Sequence, residues 1–168
     1  IERLKKEKID LIISSDLERC KITAEKIAQE LNILVEYSKE LREKYDGDWI
    51  GKNSTEVNWD SLVGDFENRK ANNGESLNDV RERGRKFFEE LMREYKNSNK
   101  TVLVISHGTF LRVLVGDLIG LSLHDSIFKI TLDNCSLSEI SVGEKHKFGF
   151  RLNFLNEQFD VLLKNQSY

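Results

Sequence analysis

Proline is absent from the chain, so its loops must be shaped by Gly, Asn and Asp. Cysteine is scarce. Cys20 and Cys135 stand far apart, with no Cys-x-x-Cys or zinc spacing, which fits reduced thiols in a cytoplasmic protein and neither a disulfide framework nor a metal site. No run approaches the ~18 apolar residues of a membrane span, and no signal-peptide core opens the chain, so no membrane partner is expected. A basic excess is missing too: 26 Lys and Arg face 29 Asp and Glu, for a net charge of −3. That balance argues against nucleic acid, and an anionic ligand would have to be drawn in by local charge. No Gly-x-Gly-x-x-Gly follows a strand, which counts against a nucleotide-binding doubly wound domain. What remains is an ordinary globular composition, 39% hydrophobic and 33% charged, over 168 residues. Without repeats, low-complexity stretches or linkers, residues 1–168 read as one domain with room for a proper core.

Hydrophobic periodicity divides the chain into alternating strands and helices. Ile9 to Ser14 reads as a short buried strand, and Ser15 with Glu18 three residues on has the capping-box pattern. Cys20, Ala24, Ile27, Ala28 and Leu31 mark a helix stripe that Asn32 ends, and Ile33 to Tyr37 reads as a second strand. Strand, helix, strand at this spacing predicts a parallel sheet. Lys39 to Asn53 has no period and reads as an ordered loop at the sheet's edge or mouth; Ser54 to Ala71 is polar and loosely helical. Asn72-Asn73-Gly74 breaks the chain, Ser76 with Asp79 forms a second capping pair, and Val80, Gly84, Phe87, Phe88, Leu91, Met92 and Tyr95 give the longest amphipathic helix. Thr101 to Ile105 reads as a strand buried on both faces. It is followed by a helix through Leu111, Leu114, Val115 and Leu118, which Gly120 caps. Phe128 to Leu132 and Ser136 to Val142 read as strands. Gly143 to His146 reads as a hairpin turn, Phe148 to Phe154 as an alternating strand, and the tail to Tyr168 as a weak strand or docking segment.

Chemistry is expected where strands open into helices, because unpaired N–H groups and the positive dipole end meet there, beyond the carboxyl ends of the strands. His107 stands at one such mouth, in Ser106-His107-Gly108. Arg19 stands at the other, in the first turn after Ser14-Ser15-Asp16, where a cation is mildly unfavourable unless it shares an anion with the helix start. A solvated Arg and an ordinary turn with an exposed His are the plainer alternatives. Two such mouths in one sheet favour a pocket. His124, after a helix cap, and His146, in a hairpin, read as solvated, and Arg112 faces away from its own cap. Ser76 is a cap and no nucleophile.

Taken in order, Ser15-Asp16-Leu17-Glu18-Arg19 with Thr23-Ala24, Leu41-Arg42-Glu43 with Gly47 and Gly51, Gly74-Glu75-Ser76, and Ser106-His107-Gly108 with Leu111-Arg112 resemble the histidine phosphatase superfamily, in its phosphoglycerate-mutase-like branch. Asp133-Asn134-Cys135-Ser136 resembles that family's late Asn-x-Ser turn. The resemblance implies an α/β three-layer sandwich with a mostly parallel central sheet. It also implies phosphoryl transfer without metal or cofactor, on a small phosphorylated metabolite. Carried over, Arg19 clamps phosphate with its planar fork. His107 faces the transferring group as imidazolium and stabilises its charge. Glu43 protonates the leaving oxygen, a task worth roughly 10²–10⁴ in rate. Backbone N–H groups of Gly108 and Thr109 add phosphate contacts. Without the resemblance, Glu43 reads as a surface-loop carboxylate.

One departure matters. The family's first strand ends in Arg-His-Gly, whose His attacks phosphorus, and this sequence contains no Arg-His dipeptide. Ile1 to Lys8 reads as the end of the helix that would follow that strand, so roughly 30 residues of strand, loop and helix are expected to be absent. The neighbours of a missing central strand would be left with unpaired backbone. The chain as given is therefore expected to lack turnover. Its short loop from Ser54 to Ala71 and few extra basic residues favour a phosphatase over a mutase. A degenerate member that only binds a phospho-ligand or partner is the alternative.

Overall fold

The computed structural model describes residues 1–158 apart from 54, 59–61, 63 and 145, so the expected tail element lies outside the described residues. Strand β1 (Ile9–Ser15) is the centre of the main sheet, flanked by β2 (Val35–Ser38) and β3 (Thr101–Ile105), both parallel to it. Ile12 lies opposite Val35 on one side and Leu103 on the other. Successive side chains of a strand point to opposite faces, and β1 uses both. Leu11 and Ile13 join Val80 and Phe87 of α2 (Leu77–Tyr95) with Phe110 and Val113 of α3 (Gly108–Leu118). Ile12, fully buried, packs on the other face against Ala24 and Ile27 of α1 (Glu18–Leu31). Helix, sheet, helix makes the expected three-layer α/β architecture.

Local chemistry explains most boundaries. Asn32 closes α1 in the left-handed conformation, at φ 53°, as Asn tolerates. Ser76 and Asp79 form a full reciprocal capping box on α2. The pattern at Ser15 does not cap α1: the N-cap position is Leu17, with no side-chain bond, because Ser15 is turned toward the sheet's mouth. No helix forms among the described residues of 54–71, where the chain makes turns instead.

Two strand expectations are corrected. Phe128 to Leu132 is no strand; Ser122 caps a helix, α4 (Leu123–Lys129), that runs through its first half. Val102 to Ile105 is only half-buried, because β3 lies at the edge: among the described residues no strand bonds its outer side. The remaining strands, β4 (Leu137–Val142) and β5 (Phe150–Glu157), form a separate antiparallel pair. Phe150 seats that hairpin on Phe88 of α2, ring edge to ring face at 5.6 Å. No helix among the described residues is long and apolar enough to cross a membrane.

Candidate active site

The mouths of β1 and β3 adjoin, since the two strands pair through Ser14 and Ile105. His107 is the first residue beyond β3 that caps α3. Extended backbone there (φ −123°, ψ 163°) turns its ring back over the sheet, where it is 6% exposed. Four groups surround the ring. Arg19 Nε donates to Nδ1 at 2.9 Å. Ser15 Oγ, on fully buried Ser15, lies 2.8 Å from Nε2. Cys20 Sγ is 3.4 Å from Nε2 and 3.6 Å from the Ser106 carbonyl oxygen. Glu43 approaches from the loop after β2.

A guanidinium nitrogen has no lone pair to offer, so the Arg19 contact requires a bare Nδ1. The ring is then neutral, with its proton on Nε2 facing Ser15. Burial first, and the Arg19 charge second, hold His107 below the ordinary histidine range, with Glu43 opposing and Arg83 reinforcing the shift. Burial likewise pushes the Cys20 thiol up, against the pull of Arg19, so it is no ready thiolate.

Glu43 stands over the start of α3. Its Oε2 accepts from the Thr109 N–H and its Oε1 from the Phe110 N–H, both at 3.1 Å, while Lys44 N–H adds a bond at 2.9 Å. A carboxylate there answers the helix dipole. It also occupies the Thr109 N–H that was expected to meet phosphate, while the Gly108 N–H takes no protein partner among the described residues. To donate a proton, Glu43 must loosen part of this grip.

The loop that carries Glu43 is held from several sides. Arg83 of α2 donates to the carbonyls of Glu40 at 2.7 Å and Arg42 at 2.9 Å, and its fork pairs with both oxygens of Glu75 at 2.9 Å. Glu75 also accepts from Tyr45 N–H and donates its own N–H to the Tyr45 carbonyl. Ser106 Oγ donates to the Leu41 carbonyl at 2.7 Å, and Arg42 forks onto Asp16 with two 2.6 Å bonds. The Arg42 contact holds the Asp16 carboxyl below its usual range. Gly47 lets the loop close: at φ +54° a Cβ would stand 2.1 Å from the Asn72 carbonyl oxygen.

Arg19, His107 and Glu43, far apart in sequence, therefore lie about two adjoining strand mouths: Arg19 bonds the His107 ring, and Glu43 bonds the start of the helix that His107 caps, at Thr109 and Phe110. The sequence reading missed Ser15, which carries a misleading cap pattern, and Arg83, which looks like any polar position of an amphipathic helix. It also undercounted basic groups. Beside Thr109 a cleft of about 440 Å³ is lined by Lys44, Lys52, Arg69, Lys70 and Arg112, with Asp46 its one acid. Trp49 and Phe66 add flat apolar walls to it. His124 packs behind that wall, edge-on to Phe66 and tilted against Phe128. Among the described residues no group of three His, Cys, Asp or Glu side chains is spaced to hold a metal ion.

A family model described as the histidine phosphatase superfamily (branch 1) matches residues 1–157. Phosphoserine phosphatase 1 of Hydrogenobacter thermophilus is 32% identical over 159 residues, covering 90% of this chain and 74% of that one. Phosphoglycerate mutase of Schizosaccharomyces pombe is 32% identical over 132 residues, 72% of this chain and 63% of its own. The native structure of a mycobacterial glucosyl-3-phosphoglycerate phosphatase superposes with a TM-score of 0.78 at 26% identity, over 94% of this chain and 81% of that one.

Proposed function

The chain belongs to the histidine phosphatase superfamily, branch 1, and from that premise we propose that its pocket serves phosphomonoester hydrolysis through a phosphohistidine. The observation that carries the reading is the meeting of Arg19, His107 and Glu43 across two strand mouths. Arg19 grips the phosphoryl oxygens, His107 stabilises their charge in the transition state, and Glu43, once released from the helix start and protonated, supplies the leaving alkoxide with a proton. Gly108 and Thr109 offer backbone N–H groups to the same oxygens.

The attacking imidazole is not among these residues. His124 and His146 are the only other histidines, and His124 packs edge-on against Phe66 rather than against the His107 ring. The nucleophile is accordingly assigned to a segment outside these 168 residues, and the open outer edge of β3 supports a place for it beside the pocket. The basic cleft next to Glu43 favours esters whose alcohol part is itself negative. The phosphoserine and phosphoglycerate named for relatives are of that kind.

The test compares two proteins. The present chain should hydrolyse no aryl phosphate, whereas the gene-complete form should do so without added metal and be inhibited by vanadate. Activity that survives replacement of the upstream histidine would sink the phosphohistidine. The lack of a second histidine at the pocket favours one other reading, a degenerate member that only binds a phospho-ligand. Tight phosphate binding with no turnover in the gene-complete form would establish it.

A further inference from the structure

Ser15, Arg19 and His107 form a chain of hydrogen bonds that the proposed chemistry leaves without an explanation. The Arg19 Nε–H can only donate, so Nδ1 of His107 is an acceptor; Nε2 must then carry the ring's proton and give it to Ser15 Oγ. Ser15 accepts a second bond, from the Leu17 N–H at 3.3 Å, which fixes the hydroxyl against the start of α1. Cys20 fills the remaining side of the ring, and the chain closes with His107 almost wholly out of solvent. In this state the ring is a base at Nδ1 and can donate nothing toward the pocket.

An oxyanion changes the balance. A guanidinium prefers two oxygens of a tetrahedral dianion to one imidazole nitrogen, because the fork then makes two charge-assisted bonds. Drawn off Nδ1, Arg19 uncovers a lone pair that faces the same anion. Facing the anion's oxygens, that lone pair is repelled, and a proton placed on it turns the repulsion into a charge-assisted bond to the anion. The groups that face the ring set the sign: Arg19 and Cys20 from α1, Ser15 from β1, Glu43 from the loop after β2, and Arg83 from α2. Among them only Arg19 both touches Nδ1 and is free to turn, since Arg83 is pinned by Glu75 and two carbonyls.

Given the pocket as an oxyanion site, the reading proposed above, we propose that anion binding is coupled to uptake of one proton at Nδ1 of His107, with Ser15 as the positioning residue that holds Nε2. The proton comes from the acid form of the buffer or from water: one N–H bond forms at Nδ1 as one buffer N–H or O–H bond breaks, and the conjugate base stays in solution. With Arg19 on Nδ1 the histidine is neutral, and the anion itself creates the imidazolium that greets it.

Sulfate is the probe, because it is a tetrahedral dianion that does not titrate near neutral pH. Calorimetry on the full chain in two buffers of different ionisation enthalpy should read an uptake of about one proton per sulfate above the ordinary histidine range. Affinity should fall about tenfold per pH unit there, and His107→Gln should abolish that slope. Sulfate bound without proton uptake would overturn the coupling and leave the oxyanion site standing. If sulfate does not bind, the oxyanion site fails, and nitrogen NMR of the unliganded chain still decides the hydrogen-bond chain. Its His107 must show a bare Nδ1 and a protonated Nε2 at neutral pH. Arg19→Met should raise the midpoint of the His107 titration. Ser15→Ala should lose the single tautomer and Ser15→Thr restore it. A proton on Nδ1 in the unliganded protein, or a midpoint unmoved by Arg19→Met, sinks the proposal.

Discussion

His107 is where acid should be felt first. The unfolded chain takes up its proton near the ordinary histidine value of about 6.5, whereas burial and Arg19 hold the folded ring below that. Its contribution to stability is therefore complete above that value and is lost as pH falls from there toward the folded pKa. Urea midpoints measured between neutral and mildly acidic pH should drop more for the parent than for His107→Gln. Parallel curves would mean the ring is not held neutral. Asp16 and Asp79, held low by Arg42 and Lys70 respectively, act in a separate window at lower pH. Arg83 is the other decisive residue. Its removal leaves Glu75 without its fork and two carbonyls without donors, at a half-buried site. Arg83→Met should cost about 3 kcal/mol, read as a fall of roughly 6–12 °C in thermal midpoint. A change within a degree or two would show that Tyr45, Ser106 and Arg42 suffice to hold the loop. Neither Arg83 nor Ser15 could be singled out from sequence. What distinguishes each is a partner more than forty residues away, and spacing carries no trace of that.

Among the elements, those fixed by local chemistry were readable and those decided by neighbours were not. The α2 box at Ser76 and Asp79 and the left-handed Asn32 follow from side chains within three or four residues. Ser76→Ala should accordingly cost about 1 kcal/mol, read by denaturant unfolding, because one helix-start donor loses its acceptor. The segment 128–132 misled because its alternation of apolar and polar residues is too short to tell a strand from a helix end. Ser122, six residues upstream, settles it by accepting from Asp125 N–H. Gly47 shows how far a loop can depend on one residue. Its backbone lies at φ +54° and its Cα faces the Asn72 carbonyl, so Gly47→Ala combines strain with a clash against backbone. The loop would have to open, taking Glu43 off the start of α3. A loss of more than about 2 kcal/mol is expected, together with changed amide shifts at Thr109 and Phe110. Unchanged shifts at those two amides would show that the carboxylate and the turn move independently.

At the scale of the whole molecule the sheet is divided: three parallel strands on one side, an antiparallel pair on the other, and no bonds between them among the described residues. Thr101 to Ile105 reads as a strand buried on both faces; it packs against both core clusters through Val102, Leu103, Val104 and Ile105, yet each of these stays only half-buried. Sequence could not tell that one edge would stand open, because edges depend on which other strands are present to pair. An open, apolar edge is a template for another chain. The chain should therefore self-associate, with a sedimentation coefficient that rises with protein concentration. Thr101→Lys, at the exposed start of the strand, places a charge beside the edge and should lower that association without unfolding the sheet. If the chain stays monomeric throughout, or if Thr101→Lys leaves its association unchanged, the outer side of β3 is not the surface on which copies meet.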